Sequence, residues 1–529
     1  MLEKDMLKKF AAAVVTALMA AMPLGGIAHA ANGPNLIANP SMETATVAGV
    51  PDGWADGSFG TNFAPATPTS YVTTEGHTGT HSLKTTITSY TAPAAATATT
   101  PAGEGGDGKW VFTSVPVTPG TNYEYTHWYK SDVDTEIDVQ VTYSSAAVMP
   151  TGIDGCDTTA FTCTDNLITA SAAANWTQIK TTYLAPAGAV SMTFFQPLNK
   201  VGTVQIDDAD LHTYTPTGFT QGMVTLTFDD GWLDQYTNGR PVLNAAGVPV
   251  TYYLLTGTVT FPDYMTVADM QALGTDPVGN ELASHTIDHC SLGAAGSTLP
   301  ADPATSNCHV PLTTAEIDNQ LGGSQVQLKA WFPTLANVAV NFASPYGEYD
   351  STSMTEIAKY YRSHRSVEAG FNSKDNFNAY DIKVQNIVDG TTPAQVQAWV
   401  DQAKLDKTWL VLVYHRVLPT DPTAGVEDYN TTPANLATEV AYMKSSGIAI
   451  RTVNQALDEI APQVGTITAP TPPAGKTGDV TGNGVVDDDD ATLLFANWGK
   501  TGTNVVGDVN HNGVVNDDDA TLLFANWSK

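Results

Sequence analysis

Four clusters of polar residues in the middle of the chain each follow an apolar run that has the length of a β-strand. The clusters are Asp229-Asp230-Gly231, His285 with His289, Ser344-Pro345-Tyr346-Gly347, and His415. In a parallel barrel the carboxyl ends of all strands meet at one face, and such barrels carry their active sites there. We therefore expect the four clusters to come together in one site.

The residue types in these clusters suit metal-assisted hydrolysis. Two histidines and one carboxylate supply three ligands for zinc and leave a fourth position for water. Zinc lowers the pKa of that water towards ~7 and polarises a bound carbonyl group. A second carboxylate can accept the proton of the water, and a histidine on the opposite side can protonate the leaving group. Each cluster alone is a weak signal, because Asp-Asp-Gly is ordinary turn chemistry, but all four at successive strand ends predict a catalytic site.

Two of the clusters also carry a family resemblance. Thr227-Phe228-Asp229-Asp230-Gly231 and His285…His289 resemble the first two motifs of the polysaccharide deacetylases (NodB-like, family-4 carbohydrate esterases), over residues 222–462. The resemblance implies an irregular (β/α) barrel with fewer than eight strands, which removes acetyl groups from a polysaccharide. It also implies that Asp230, His285 and His289 bind zinc or another divalent metal, that Asp229 is the general base, that His415 is the general acid, and that the backbone N–H of Tyr346 stabilises the oxyanion.

One position departs from the usual family pattern. Many members have Arg-x-Pro-Tyr-Gly, whose arginine orients the base, whereas Ala343 stands at the arginine position here. A form with alanine occurs in some subgroups of the family. We predict that Lys383 replaces the missing cation, and the alternative is that Lys383 is a surface lysine beside a strand.

The elements that position these clusters follow from the pattern after Gly222, where apolar runs alternate with helical stretches. This alternation predicts a parallel sheet or barrel. The predicted strands cover residues 223–228, 248–255, 281–284, 338–343, 409–414 and 448–453. The predicted helices cover residues 314–331, 351–361, 393–404 and 433–446.

Residues 34–214 precede the barrel and have an all-β pattern, with short alternating runs between Gly, Pro and Asn turns. This pattern predicts a β-sandwich. The segments NLIANPSMET and VQIDDADLH resemble those of jelly-roll carbohydrate-binding modules, which implies a structural calcium near Glu43 and Asp208. Glycan binding would need exposed aromatic rings, and a core position is the alternative for each. The candidates are Trp54, Tyr71, Trp110, Tyr125, Trp128 and Trp176.

The C-terminal residues 479–529 contain the same motif twice, after a Pro-rich and Thr-rich linker at 463–478. Each copy fits a 12-residue calcium loop, with oxygen ligands at loop positions 1, 3, 5, 7, 9 and 12 and Gly at position 6. The first loop supplies Asp479, Thr481, Asn483, Asp487 and Asp490 with the carbonyl of Val485, and the second supplies Asp508, Asn510, Asn512, Asn516 and Asp519 with the carbonyl of Val514. A solvated acidic tail is the alternative, which two copies in register argue against.

This repeat resembles a dockerin, so we expect a small α-helical calcium module that docks to a cohesin-type scaffold. Loop positions 10 and 11 often carry a Ser/Thr-type recognition pair in dockerins. Aspartates stand at these positions in both loops here. The calcium ligands are unaffected by this change, whereas the identity of the partner is not determined.

The net charge of the chain indicates which classes of partner to exclude, and its N-terminal segment indicates the compartment. The chain has 23 Lys and Arg against 54 Asp and Glu, a formal net charge of -31, which argues against nucleic acid, polyanions and anionic membrane surfaces. Residues 1–30 predict a signal peptide, because two lysines precede a short apolar stretch and a small-x-small site ends at Ala30. No other run is long enough to insert into a membrane. We therefore expect a secreted protein.

The four cysteines fit that compartment. An even number in an exported chain predicts disulfides, and short loops within one domain favour Cys156–Cys163 and Cys290–Cys308. A zinc site built from these thiols is the alternative, although no CxxC pair supports it. A loop closed by Cys290 and Cys308 would lie next to His289 and form a wall of the cleft.

These patterns together predict a secreted, metal-dependent deacetylase of three parts. The acetyl group is either an N-acetyl on a chitin-like glycan or an O-acetyl on xylan. One alternative is a non-catalytic glycan-binding or scaffold component with a degenerate barrel. The other is a glycoside hydrolase, which would need two facing carboxyl groups.

Overall fold

The computed structural model describes most of the two large domains and part of the C-terminal repeat. The described residues are 33–91, 106–150, 156–293, 308, 311–420, 429–465, 491, 494–495, 497–501, 507, 509, 514–525 and 527. Several predictions lie outside them: the signal peptide at 1–30, nearly all of the linker, and the ligands Asp479, Thr481, Asn483, Val485, Asp487, Asp490, Asp508, Asn510 and Asn512.

The N-terminal domain consists of two five-stranded antiparallel sheets whose buried side chains form one core. The strands are β1 (Trp54–Asp56), β2 (Phe63–Ala64), β3 (Thr69–Val72), β4 (Ser82–Ile87), β5 (Ser89–Tyr90), β6 (Trp110–Phe112), β7 (Val115–Pro116), β8 (Asn122–Ser131), β9 (Thr135–Tyr143), β10 (Cys156–Asp157), β11 (Thr162–Ala170), β12 (Ala173–Leu184), β13 (Ala189–Phe195) and β14 (Gly202–Thr213). The sheet orders are β10-β11-β9-β13-β7 and β12-β8-β14-β4-β3. Side chains along β8 and β9 alternate between buried and part-buried, as expected for strands with one face in a core.

Half of the aromatic residues that were candidates for glycan stacking belong to this core. Trp54, Trp110 and Tyr125 are at most 5% exposed, so they cannot offer a ring to a sugar. Trp128 and Trp176 are part-buried on the neighbouring strands β8 and β12, and the ring of His77 stacks on Trp128 at 3.9 Å. These two tryptophans, with Tyr71, are the candidates that keep some exposure.

The central domain is a closed barrel of seven parallel strands. The barrel strands and the additional strands of this domain are β15 (Met223–Phe228), β16 (Thr251–Leu254), β17 (Glu281–Ser284), β18 (Asn341–Ala343), β19 (Ser363–Ala369), β20 (Ile382–Asn386), β21 (Trp409–Tyr414), β22 (Arg416–Val417), β23 (Asn430–Thr431) and β24 (Ala449–Ile450). β15 to β21 pair in chain order, and β21 pairs back to β15. β24 pairs with the first residues of β15, where β16 does not reach. A barrel with fewer than eight strands is therefore confirmed.

Helices cover most of the outer face of the barrel. They are α1 (Arg240–Ala246), α2 (Val267–Gly274), α3 (Thr314–Asp318), α4 (Ser324–Trp331), α5 (Ser351–Tyr360), α6 (Pro393–Asp406), α7 (Pro433–Ser446) and α8 (Val453–Val464). Four of them begin with a threonine that forms a capping box, at Thr266, Thr313, Thr392 and Thr452, which satisfies the first backbone N–H groups. The predicted helices all form, whereas α1, α2 and α8 and the strands β19 and β20 were not predicted.

The sandwich covers the part of the barrel that has no helix of its own. Residues 370–381, between β19 and β20, form neither helix nor strand, and β11 of the sandwich packs against β19. Thr169 on β11 donates its backbone N–H to Glu368 on β19 at 3.1 Å. Lys383 on β20 donates to the carbonyl of Leu167. The sandwich thus completes the outer layer of the barrel.

Lys383 belongs to this interface and not to the active site, so the prediction that it orients Asp229 is wrong. Its neighbours Ile382 and Val384 face the barrel interior, and successive residues of a strand face opposite sides. On the outer side, the Lys383 ammonium forms buried ion pairs with Glu368 at 3.0 Å and Asp381 at 2.9 Å. Burial and the charge of Glu368 raise the pKa of Asp381 well above its usual value.

Both predicted disulfides, Cys156–Cys163 and Cys290–Cys308, are formed. In the part of the chain that the structure describes, no helix combines the length and apolar character needed to cross a membrane. The C-terminal repeat contributes α9 (Asp517–Ala525) and a small core around Leu494 and Leu523. Of its predicted ligands, Val514, Asn516 and Asp519 are described, and the backbone N–H of Asn516 donates to the buried carboxylate of Asp519 at 2.9 Å.

The buried ion pairs of Lys383 with Glu368 and Asp381 lead to a prediction about stability. Lys383→Met removes the cation between two buried carboxylates, and breaking a buried ion pair from one side costs about 3–5 kcal/mol. We expect a clearly lower urea midpoint, followed by tryptophan fluorescence. Lys180→Met is the control, because Lys180 pairs with Glu124 while its own side chain is 42% exposed, and an ion pair with an exposed partner contributes about 1 kcal/mol or less. Equal midpoints for the two variants would contradict the interface described above.

Candidate active site

The barrel brings the predicted polar clusters together at the carboxyl ends of its strands. Asp229 and Asp230 follow β15, His285 and His289 follow β17, and His415 follows β21. Oδ1 of Asp230 lies 3.3 Å from Nε2 of His285 and 3.2 Å from Nε2 of His289. Nε2 of His415 lies 3.8 Å from Oδ2 of Asp229. One site therefore contains both the carboxylate pair and the three histidines.

Tyr346, from the cluster after β18, borders the same site. It lies in a single turn of 3-10 helix, Pro345–Gly347, and its ring centroid is 4.4 Å from that of His289. The ring of His415, on another side of the site, is 5.0 Å from that of Tyr429. The ring of Tyr346 thus contacts one of the two histidines, and the oxyanion role of its backbone N–H stays a prediction.

The backbone at these residues is held in a conformation that non-glycine residues rarely adopt. The φ angles are 73° at Asp230, 77° at Thr286, 57° at His289 and 59° at Tyr346. Each such residue costs on the order of 1–3 kcal/mol, and residues of this kind concentrate at functional sites. Four such residues surround one small group of side chains, and this concentration indicates a functional site.

Asp230, His285 and His289 form a set of donors that suits a divalent transition metal. Oδ1 of Asp230 is buried and has no hydrogen-bond partner among the described residues, and the three donor atoms lie within 4.8 Å of one another. Nδ1 of His285 lies 2.8 Å from the carbonyl of Ala343, so Nδ1 carries the proton and Nε2 presents its lone pair. One carboxylate oxygen and two imidazole nitrogens are ligands that zinc and similar ions accept.

The protonation of these ligands fits metal binding. Burial lowers the pKa of His289 to about 4, so this imidazole is neutral near pH 7. Burial raises the pKa of Asp230, but the imidazoles of His289, His285 and His415 lower it by more, and the net pKa is well below its usual value. A neutral imidazole and an ionised carboxylate are the forms that bind a metal.

Asp229 is oriented by Arg365, a residue that the sequence analysis did not identify. The guanidinium of Arg365 donates to Oδ2 of Asp229, and the two side chains are 1% and 2% exposed. Arg365 is the register partner of Ala343 on the neighbouring strand, so the cation that Ala343 lacks comes from one strand further along the sheet. The chain has five arginines, but β19 was not among the predicted strands, so no local signal distinguished Arg365 from the other four.

Gln235 is a second residue that the sequence analysis missed. Its side-chain N–H groups donate to the carbonyl of Asp229 and, at 2.8 Å, to the carbonyl of His415. It lies at the start of a five-residue π-helix, Gln235–Gly239, which runs into α1, and π-helical turns are frequent at functional sites. Gln235 thus holds the end of β15 at a fixed spacing from the end of β21.

The arrangement can activate a nucleophile. Oδ2 of Asp229 is engaged by Arg365, and Oδ1 is buried with no hydrogen-bond partner in the described part of the chain. It can therefore accept a proton from a molecule in the site. His415 lies close enough to act on the same substrate from another side. This combination of carboxylate, imidazole and metal ligands is typical of hydrolytic sites.

Part of the central domain is similar to known polysaccharide deacetylases. Residues 217–362 match the family model for polysaccharide deacetylases. The polysaccharide deacetylase-like protein YxkH of Bacillus subtilis (strain 168) is 33% identical over 69 residues, which are 13% of this chain and 24% of that protein. The chain thus matches about a quarter of the length of this relative.

Two solved structures show similarity at low sequence identity. One is the Xyl-CE4 domain of a multidomain xylanase from the hindgut metagenome of Trinervitermes trinervoides, with 19% identity over 47% of this chain and 94% of that chain and a TM-score of 0.30. The other is a family 4 acetyl xylan esterase from Clostridium thermocellum in complex with a cobalt ion, with 15% identity over 47% of this chain and 95% of that chain and a TM-score of 0.31. The family model, together with the seven-stranded barrel, supports a polysaccharide deacetylase domain in the central part of this chain.

Proposed function

We propose that this protein removes acetyl groups from a polysaccharide with the help of a divalent metal held by Asp230, His285 and His289. The observation that carries this proposal is the buried Oδ1 of Asp230 between the two imidazoles, beside an oriented Asp229. A divalent cation held by these ligands would polarise the acetyl carbonyl and would lower the pKa of a water molecule. Zinc suits these three ligands, and other divalent transition metals also bind imidazole and carboxylate groups.

The remaining steps belong to the side chains around that site. Asp229 accepts the proton of the attacking water through Oδ1, while Arg365 fixes Oδ2 and prevents the carboxylate from rotating. The backbone N–H of Tyr346 donates to the oxyanion as the acetyl carbon becomes tetrahedral, which is the part of the reaction where such donors contribute most. His415 donates a proton to the departing nitrogen or oxygen of the sugar. Acetate and a deacetylated sugar are the products.

The net charge of the protein and the chemistry of the site restrict the class of substrate. A protein with a formal net charge of -31 disfavours polyanionic glycans, whereas a neutral acetylated polysaccharide meets no repulsion. The site chemistry serves an acetamide and an acetyl ester alike, because both present the same kind of carbonyl group. Acetylxylan, chitin oligomers and peptidoglycan are the substrates to compare, with acetate release as the readout and new reducing ends as the mark of a glycoside hydrolase instead.

For the N-terminal sandwich we propose glycan binding with a calcium near the loop between β3 and β4. Glu43 accepts from His81 in this loop, and Asp208 accepts from His77. Asp207 also faces this loop, and its Oδ2 accepts hydrogen bonds from the backbone N–H groups of His77 and Thr78. A Cβ on Gly76 would lie 2.9 Å from Oδ2 of Asp207, 2.4 Å from the carbonyl of His81 and 2.5 Å from that of Thr78. We therefore add Asp207 to the proposed ligands Glu43 and Asp208.

For the whole chain we propose export to the cell exterior, with tethering to a scaffold through the C-terminal repeat. The two disulfides support an oxidising compartment. In the repeat, Phe495, Trp498 and Phe524 are 43–51% exposed, and an exposed aromatic group suits contact with a cohesin-type partner. Tethering would raise the effective concentration of the barrel on its substrate.

The first test removes the metal. Chelation should abolish acetate release, and zinc or another divalent ion should restore it. Asp230→Asn should weaken metal binding itself, whereas Asp229→Asn should keep the metal and lower turnover by roughly 10²–10⁴, the usual contribution of acid–base catalysis. Metal content by elemental analysis separates the two variants. Full activity without metal, or equal metal loss in both variants, would show that these roles are assigned wrongly.

The second test concerns Arg365. Arg365→Met should lower turnover by about 10–100-fold, the usual effect of losing a group that orients a catalytic residue, and should leave the metal content unchanged. Arg365→Lys should retain part of the activity, because it keeps a charge but not the planar fork. Lys383→Met is the matched control for a buried cation, and it should lower stability without a comparable loss of turnover in the folded protein. The reverse ranking would return the orienting role to Lys383.

The third test counts calcium in the full chain. Asp479→Ala combined with Asp508→Ala removes the first ligand of each predicted loop, so equilibrium dialysis should show two fewer calcium ions per chain. Deacetylation of a soluble oligomer should be unchanged, because the loops lie outside the barrel sequence. An unchanged calcium count would reject the proposed loops, and a loss of catalysis would reject a separate docking module.

A further inference from the structure

Trp232 lies two residues after Asp230 and contacts the carboxylate of this predicted metal ligand, although Trp232 is not itself a predicted ligand. Its indole Nε1 donates a hydrogen bond to Oδ2 of Asp230 at 2.9 Å. Oδ1 of the same carboxylate is the oxygen that lies 3.2–3.3 Å from the two imidazole nitrogens. The two oxygens of Asp230 therefore have different environments, one in contact with an N–H donor and one facing the histidines.

The ring of Trp232 is fixed by contacts that do not involve Asp230. It stacks on the ring of Tyr264 with centroids 4.3 Å apart, and the guanidinium of Arg416 lies 4.3 Å from its centroid. Trp232 and Tyr264 also form an isolated β-bridge, and Asp234 binds the guanidinium of Arg416. An indole held by stacking, by a cation and by its own backbone presents its N–H in one direction.

The backbone at Asp230 and Gly231 is in a strained turn. Asp230 and Gly231 both have φ in the left-handed region, at 73° and 77°, and this turn directs the Asp230 side chain back towards the histidines. Rotation of the carboxylate about its last bond would exchange the two oxygens or present both of them to a metal. The hydrogen bond from Trp232 opposes that rotation, because the freed Oδ2 would lose its donor in a buried site.

We propose that Trp232 is a positioning residue that fixes Asp230 as a ligand through Oδ1 alone. The proposal rests on the proposed metal-dependent function of this site. It differs from the usual interpretation of an aromatic ring beside a cleft, in which the ring stacks on a sugar, because the ring of Trp232 is already in contact with Tyr264 and Arg416. Groups that orient a metal ligand in this way typically change metal affinity by 10–100-fold.

The test measures metal affinity in the full-length chain. Trp232→Phe keeps an aromatic ring but removes the N–H, and cobalt affinity is measured by competition with a chromophoric chelator. We expect a 10–100-fold weaker affinity and an altered visible spectrum of the bound cobalt. At saturating metal, turnover should return to within a few-fold of the unsubstituted protein, and KM should be unchanged.

Two further variants keep the test decisive. Incorporation of benzothienylalanine at position 232 replaces the N–H by sulfur and preserves the ring shape and its stacking, so it should lose the same affinity even if Trp232→Phe folds poorly. Trp399→Phe is the control, because Trp399 lies on α6 and packs against the helical layer outside the barrel. Its metal affinity should equal that of the unsubstituted protein.

The outcomes separate the two proposals. Wild-type affinity in the benzothienylalanine variant would overturn the role of Trp232 while leaving the deacetylase proposal intact. A raised KM with unchanged metal affinity would overturn it in favour of a sugar contact. An unsubstituted protein that binds no metal and releases no acetate would overturn the proposed function, and this inference with it.

Discussion

The buried ion pair between Asp229 and Arg365 is the constraint on which the active site depends. Both side chains are almost fully withdrawn from water, and a buried charge is tolerated only when its partner is held in good geometry. The pair joins β15 to β19, which lie on opposite sides of a seven-stranded barrel. The two side chains can meet across the barrel only if the strands between β15 and β19 are in register. The ring of Tyr253, 5.0 Å below the guanidinium, completes the support from the interior.

The same strand that carries Arg365 inward also carries Glu368 to the interface with the sandwich. Between Arg365 and Ala369 the pairing of β19 with β20 shifts register, and β19 is paired with β20 on both sides of the shift. At the interface Glu368 meets Lys383, Thr169 and Tyr349. Burial raises the pKa of Glu368, but Lys383 and the hydrogen-bond donors lower it to about 2. The sandwich therefore packs against the strand that carries Arg365, the residue that orients the proposed base.

Around the proposed metal ligands, neutral groups do the orienting. The carbonyl of Ala343 fixes the tautomer of His285, the indole of Trp232 engages one oxygen of Asp230, and Gln235 ties the ends of two strands together. Outer groups of this kind normally set the geometry and basicity of metal ligands. Together with the strained backbone at Asp230, they fix the orientation of the proposed ligands.

Much of this protein could be predicted from its sequence, because several signals are local. Apolar runs such as that of β15 are buried on both faces and are recognisable as barrel strands, and threonine caps mark helix starts such as that of α6. The motif residues Asp229, Asp230, His285 and His289 follow such strands directly. The Cys156–Cys163 pairing followed from sequence proximity. These features depend on residues close together in the chain, so local pattern and spacing suffice to find them.

The tertiary structure decided what no local pattern contains. β19 has the sequence SHRSVEA, which is too polar to be recognised as a buried strand, because its polar side chains are satisfied by partners from distant segments. Arg365 could be assigned to Asp229, and Lys383 removed from it, only when the barrel had placed one side chain inward and the other outward. The burial of Trp54 and the contact of Trp232 with Asp230 are likewise properties of packing. Sequence type determines which residues can do chemistry, whereas closure of the barrel determines which of them meet.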